Sequence, residues 1–228
     1  GSIAGDAYSV LAGTIAGSGT INSNLYNHSV LQAGSYGAPG TLHVAGNLIS
    51  DGQLAVAVQN NVAGKVAVTG TAAVEGTRFA AVTGSTYQPD GTYAVLSAAN
   101  ISGNFVSGAF TGLLNASASY DSARTSAFLR LSRSDTLPGV DLKQQTAYAS
   151  MNAMYDALAG QTAQQQMNGL YSLDATAAAE TLTAIYGGAQ LNQSMTTYYY
   201  KLLPLCMMPM LTFSYTWFRD VNTNLTTI

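Results

Sequence analysis

The sequence predicts a mainly β protein in which a strand-rich first half gives way to an α-helical segment, and three observations lead there. From Ile15 to Val82, apolar residues alternate with polar ones in short runs, the period of strands with one buried face. Clusters of Gly, Asn and Ser cut these runs at the short, regular intervals typical of all-β domains. After Pro138-Gly139 the apolar spacing lengthens to that of a helix. Composition agrees: 8% charged residues, against about 25% in an average domain, and 47% apolar residues give ample core and exclude a disordered chain.

In the first half, Leu42 and Val44, Leu54 and Val56, then Val66 and Val68 form a weak internal repeat with a spacing of twelve. Ser50-Asp51-Gly52, Asn60-Asn61 and Glu75-Gly76-Thr77 fall between the runs. Gly and Asn there can take the positive φ of tight turns. This periodicity suits an antiparallel sandwich and a parallel β-helix equally.

The next segment carries Gly91-Thr92-Tyr93-Ala94-Val95-Leu96-Ser97-Ala98, then Ile101-Ser102-Gly103-Asn104-Phe105, and finally Ala127-Phe128-Leu129-Arg130-Leu131-Ser132-Arg133. Upstream stand Gly40-Thr41-Leu42-His43-Val44-Ala45-Gly46-Asn47-Leu48 and Lys65-Val66-Ala67-Val68-Thr69-Gly70-Thr71-Ala72, and downstream an Ala- and Gln-rich stretch from Lys143 to Met195. In this order the motifs resemble the C-terminal passenger region of a bacterial autotransporter of type V secretion: a pertactin-like stalk, an autochaperone cap and a helical linker. The resemblance implies a right-handed parallel β-helix of the pectin-lyase-like kind with a β cap, followed by α-helix. It divides the chain into stalk rungs (1–86), cap (87–133), a short linker (134–142), a helical region (143–195) and an atypical hydrophobic tail (196–228).

A stack of parallel strands ends on unpaired N–H and C=O groups, a template for aggregation unless covered. The resemblance places that cover at Tyr87 to Arg133. Tyr93 and Val95 are expected to alternate inward, Phe105 and Phe110 to supply bulk, and Leu129 and Leu131 to return as a final strand.

In the second half, Ala147, Met151, Met154, Tyr155 and Leu158 follow helical spacing, with Gly160 as a stop. Met167, Leu170 and Tyr171 form a second face, and Ala178, Leu182, Ile185 and Tyr186 a third, ended by Gly187-Gly188, with Asp174 as N-cap. These stripes read as helix-on-helix packing. Gln161, Gln164, Gln165, Gln166, Gln190 and Gln193 suit a solvated surface, or on the resemblance a lumen-facing one inside a barrel. From Tyr198 the chain departs from the family. Two prolines, three adjacent tyrosines and Lys201 argue against a transmembrane helix over Tyr198 to Phe218 and favour a frame-shifted or otherwise foreign, poorly ordered tail. A membrane barrel needs many alternating segments of about ten residues, so the barrel that would be this passenger's partner is missing. No signal peptide opens the sequence, which starts within a Gly/Ser/Ala pattern and reads as a fragment.

Chemistry-bearing motifs are sparse. Asp51, Asp90 and Asp121 stand far apart, each in an expected turn, and His28 and His43 lack a partner at metal-ligand spacing. No G-x-S-x-G elbow, S-x-x-K or phosphate loop occurs, and Cys206 alone forms no intramolecular disulfide. No catalytic residue, metal ligand or cofactor is nominated. A net charge of −3 with eight scattered basic residues removes the footprint that nucleic acid requires. The expected function is therefore structural: a non-catalytic folding and display segment at, or released from, a Gram-negative cell surface. The alternatives are an adhesin-type module for host glycans or matrix and, further off, a polysaccharide-degrading enzyme.

Overall fold

A computed structural model describes residues 2–9, 13–35, 37–134, 137 and 139–186. Gly187-Gly188, Gln190, Gln193 and the tail at 196–228 lie outside the described residues. The chain is mainly β, with parallel sheets followed by three C-terminal helices.

Three sheets carry the first half. One contains β1 (Ser2–Ile3), β4 (Thr20–Ile21), β8 (Thr41–Val44), β13 (Lys65–Val68) and β16 (Thr92–Ser97), each parallel to the next. A second contains β2 (Ala7–Ser9), β5 (Leu25–Asn27), β9 (Leu48–Ser50), β14 (Thr71–Ala73) and β17 (Asn100–Ser102), again all parallel. The third contains β3 (Thr14–Gly17), β6 (Val30–Ser35), β10 (Gln53–Val56) and β15 (Arg78–Ala81). A two-residue strand, β7 (Ala38–Pro39), folds back antiparallel onto β6. The chain visits the sheets in rotation, so each circuit lays one strand on every sheet.

Register stacks like on like. Leu25 lies opposite Leu48 and Leu48 opposite Ala72, steps of 23 and 24 residues. Leu31, Leu54 and Phe79 form one buried column, and Leu42, Val66 and Leu96 another. Alternation decides which face is buried: in Thr41–Val44, Leu42 and Val44 point inward while His43 is exposed. The three sheets share one interior, because a void of only about 10 Å³ is lined by Leu31 and Leu54, Leu48, Val66 and Leu96 together. Each fully buried Leu contributes about 1.5–3 kcal/mol of apolar transfer.

The repeat of twelve is corrected by this register. Leu42 and Val44 pair with Val66 and Val68, but Leu54 and Val56 belong to a different sheet. One circuit takes about twice twelve residues, so the half-spacing links strands that line the same core without pairing.

Polar groups are stacked too. Asn27, Ser50 and Thr77 are all buried. Asn27 Nδ2 donates to Ser50 Oγ at 3.0 Å and to the Gln53 carbonyl at 3.3 Å, while Thr77 Oγ1 donates to the Ser50 carbonyl at 2.7 Å. Outside, Asn24 Oδ1 accepts from Asn47 N–H at 2.9 Å, and Asn47 Oδ1 accepts from Thr71 N–H at the same distance. The turn at Asn60-Asn61 has positive φ at both residues (49° and 63°), as a two-residue hairpin requires. It joins β11 (Val58–Gln59) to β12 (Val62–Ala63) in an antiparallel pair.

Three strands complete the β region: β18 (Gly108–Ala109), β19 (Leu114–Tyr120) and β20 (Ser126–Arg133). They extend the first sheet beyond β16 in the order β20, β19, β18, every pair antiparallel. The helices are α1 (Leu142–Ala157), α2 (Thr162–Tyr171) and α3 (Ala175–Tyr186). Asp174 caps α3 by accepting from Ala177 N–H at 2.9 Å. Along the first helical stripe Ala147, Met151 and Tyr155 are buried, but Met154 is 38% exposed. By helical spacing it lies at the margin of the stripe, on the side away from Tyr155.

The described residues fall into two compact units: those up to 139 together with 153–178, and 140–152 together with 179–186. Within the second, Asp141 and Gln144 form a reciprocal capping box, each side chain accepting the other's backbone N–H at 2.8 Å. Gln144 Nε2 also donates to Thr183 Oγ1 at 2.9 Å.

Replacing Asn27 with Leu removes the donor to Ser50 and to the Gln53 carbonyl while keeping the side-chain size. The unmet acceptors are expected to lower stability by about 1–3 kcal/mol, read as a reduced urea midpoint with an unchanged slope.

Candidate functional site

The candidate site is the cover over the last strand of the first sheet. β16 pairs in parallel with β13 through Val66↔Leu96 and Ala67↔Ser97, and its opposite edge pairs antiparallel with β20 through Tyr93↔Leu129 and Ala94↔Phe128. A bulge between Ala94 and Leu96 falls at Val95, which is wholly buried. One strand thus converts parallel stacking into an antiparallel hairpin, and the hairpin occupies the hydrogen-bonding edge that a further parallel strand would need.

Each side chain singled out for the cap is buried: Tyr93, Val95, Phe105, Phe110, Leu129 and Leu131 all lie at 8% exposure or less. Tyr93, Leu129 and Leu131 share the first sheet, with Leu129 opposite both Tyr93 and Ala118. Phe105 stacks on Phe79 of the last strand in the third sheet, ring centroids 4.4 Å apart and 12° from coplanar. Phe110 meets Tyr87 edge-on at 4.8 Å. The aromatic residues therefore tie the cover to more than one sheet, a contribution beyond area burial of about 0.5–1.5 kcal/mol per ring pair.

Several residues that hold the cover in place carry no sequence motif. Tyr87 Oη donates to the Val56 carbonyl and accepts from Val82 N–H, both at 2.7 Å. Tyr93 Oη accepts from Gln88 N–H at 3.0 Å. Burial raises the pKa of both phenols, so they stay neutral, and Tyr87 keeps the proton it donates to Val56. Arg124 donates to the Ile101 carbonyl at 2.9 Å and to the Gly103 carbonyl at 2.5 Å, with its guanidinium 4.2 Å from the Tyr120 ring centroid. The β19–β20 turn is held by Asp121, which accepts from Thr125 Oγ1 at 2.6 Å and from Thr125 and Ser126 N–H groups. The Thr125 hydroxyl leads these bonds in holding the Asp121 carboxyl below its ordinary range.

Helical residues 153–178 complete the cover within the same compact unit. Tyr87 N–H donates to Ser172 Oγ at 2.7 Å, Thr111 Oγ1 to the Tyr171 carbonyl at 2.7 Å, and Gly112 N–H to the Leu173 carbonyl at 2.8 Å. Gly112 is required by that approach, since a Cβ there would stand 2.6 Å from the Asp174 carbonyl oxygen. Arg133, at the end of β20, makes a two-pronged pair with Asp156 at 2.9 and 2.6 Å and reaches Asp90 at 3.2 Å. Its guanidinium also lies 5.2 Å from the Tyr155 ring centroid. The charge-assisted bond from Arg133 holds the Asp156 carboxyl below its ordinary value. Tyr155 in turn donates to Asn168 Oδ1 at 3.0 Å and meets Tyr171 edge-on.

The three aspartates weighed as possible acid clusters are not brought together as one group. Asp90 takes a positive φ of 62° and faces Arg133, Asp121 holds a turn, and Asp51 Oδ1 accepts from His28 Nδ1 at 2.7 Å. The His28–Asp51 pair spans 23 positions, the step of one circuit, which is why linear spacing does not reveal it. Ser29 beside it is committed elsewhere, its hydroxyl donating to the Gly13 carbonyl at 2.7 Å. Among the described residues no group of three His, Cys, Asp or Glu side chains is placed to hold a metal ion. No protein-family model matches the chain, and no curated protein matches its sequence.

Two predictions concern the cover. Tyr87→Phe strands the Val56 carbonyl and the Val82 N–H at once, with an expected loss of roughly 1–3 kcal/mol in chemical denaturation. The Arg133–Asp156 pair gives a pH signature. The folded-state pKa of Asp156 is depressed, so the pair stabilises fully above the ordinary Asp value of about 3.9 and its contribution fades as pH falls through the folded value. Arg133→Gln is expected to lower the thermal midpoint at pH 7, with the gap to the parent protein shrinking below about pH 4. A gap of constant size across that range would assign the loss to packing on Tyr155 instead.

Proposed function

We propose that this chain is the C-terminal part of an autotransporter passenger, a non-catalytic segment that supports folding and surface display during type V secretion. In this reading the three parallel sheets are the faces of a right-handed parallel β-helix, β18–β20 with the aromatic residues around them act as the autochaperone cap, and the helices lead toward an outer-membrane barrel, the partner of the passenger. The protein then works at the surface of a Gram-negative bacterium or is released from it.

The observation that carries the reading is the switch at β16 from parallel pairing with β13 to antiparallel pairing with β20. Parallel strands far apart in sequence pair slowly, because loop-closure entropy is lost before contacts are gained. The hairpin β19–β20 is local by comparison, its turn fixed by Asp121 within five residues. A locally folding cover that already presents β16 supplies an edge on which β13, and then β8, can add one circuit at a time. Outside the cell no ATP is available, and folding that proceeds from such a template would both draw the chain out and prevent its return.

Removal of residues 87–133 from a full-length parent carrying its barrel tests this. The expected outcome is loss of the protease-resistant passenger at the cell surface while the barrel still reaches the outer membrane. Undiminished display of a protease-resistant passenger would overturn the folding role.

A further inference from the structure

We propose that the groove beside His28, Asp51 and Arg78 binds a compact hydroxylated carboxylic acid, of the kind represented by a uronic acid unit. The groove has a volume of about 250 Å³ and is bordered by His28, Val30, Asp51, Gly52, Gln53 and Arg78. That volume approaches the lower limit of small-ligand pockets, about 300 Å³, and suits one sugar ring.

Stacking assembles the groove from residues distant in sequence. Val30, Gln53 and Arg78 occupy one register position on three adjacent strands, β6, β10 and β15. Neighbouring strands lie about 4.8 Å apart, so the Gln53 amide and the Arg78 guanidinium stand side by side. Two residues earlier on successive circuits, His28 and Asp51 form their own pair at 2.7 Å. Gly52 lies between the columns, where a Cβ would sit 2.3 Å from the Ser29 carbonyl oxygen. The absence of a side chain there keeps the two circuits in close contact.

The chemistry of the walls selects the ligand. Arg78 is exposed, and among the described residues its guanidinium has no hydrogen-bond or ion-pair partner, unlike Arg124 and Arg133. A free guanidinium fork matches a carboxylate. Asp51, which also lines the groove, repels a second negative charge, so the rest of the ligand must be neutral and must donate. Sugar hydroxyls meet that demand: they can donate to Asp51 and exchange hydrogen bonds with His28 Nε2 and the Gln53 amide. Val30, half-buried between Thr14 and Gln53 in its column, offers an apolar contact to the C–H face of a ring. A simple acid would leave Asp51 and Gln53 unused, and a neutral sugar would leave Arg78 unpaired.

The chain has two histidines, His28 in the groove and His43 on an exposed position of β8 in another sheet, so imidazole NMR signals report on the groove with an internal reference. Titration of the full chain at pH 7 with glucuronate is expected to move the His28 signals saturably and to leave those of His43 in place. Glucose and acetate are each expected to bind at least about tenfold more weakly, the loss of one hydrogen-bonded charged contact. Arg78→Gln and Asp51→Asn, both at exposed side chains, are expected to weaken glucuronate binding by a similar factor with the circular dichroism spectrum unchanged. A glucuronate-containing oligosaccharide that saturates at lower concentration than the monomer assigns the groove to a polymer, and equal saturation assigns it to the free acid. The proposal is overturned if glucuronate leaves His28 unmoved, if glucose or acetate binds as well in the unsubstituted chain, or if Arg78→Gln binds with unchanged affinity.

Discussion

Parallel pairing has no natural end, and that constraint organises this molecule. A strand such as β13 is satisfied on one edge by β8 and on the other by β16, but whatever strand comes last faces water with a row of unpaired backbone groups. Here the last parallel strand of the first sheet finds its partner in the chain that follows, by reversal of direction. The reversal needs a bulge at Val95, a tight turn held by Asp121 and an Arg124 side chain that satisfies carbonyls in the second sheet. Parallel stacking would otherwise have to be terminated by charge or proline, and neither is plentiful in this sequence.

The same logic of in-register layers governs the polar residues. A buried Asn, Ser or Thr is costly alone, yet Asn27, Ser50 and Thr77 answer one another because each circuit places them one strand apart. The outer row of Asn24, Asn47 and Thr71 does for the turns what the inner row does for the core. The helical residues join this scheme at the cover, where Ser172 and Leu173 accept from the backbone N–H groups of Tyr87 and Gly112, and Tyr171 accepts from the Thr111 hydroxyl. Residues 153–178 therefore belong to the β-rich unit in their contacts, although their sequence is wholly helical in character.

What was legible in the sequence follows from the range over which each cause acts. Alternation and turn chemistry are local, so the strands around Leu42 and Val66, the Asn60-Asn61 turn and the Asp174 cap could be read directly. The bulky residues of the cover, among them Phe105 and Leu129, were singled out by the ordered motifs that carry the resemblance. Pairings between residues distant in sequence left no trace in linear spacing: His28 with Asp51, Tyr87 with Val56, Arg133 with Asp156. The repeat of twelve misled for a related reason, since a circuit that visits three sheets presents core residues more often than it returns to one strand. A search at separations of 23 and 24 residues would have aligned Asn27 with Ser50, and Asn24 with Asn47 and Thr71 in turn, and pointed to both polar columns.

The hairpin at Asn60-Asn61 departs from this regularity. β11 and β12 pair with each other rather than with strands one circuit away, and Val62 at its tip is 60% exposed. Its geometry is closed by its own two-residue turn, so lengthening it asks nothing of the register on either side. The position is thus a natural port for grafted sequence: an epitope or a second small domain could be carried there, projecting from the flank of the stack, without interrupting the columns that hold the layers together.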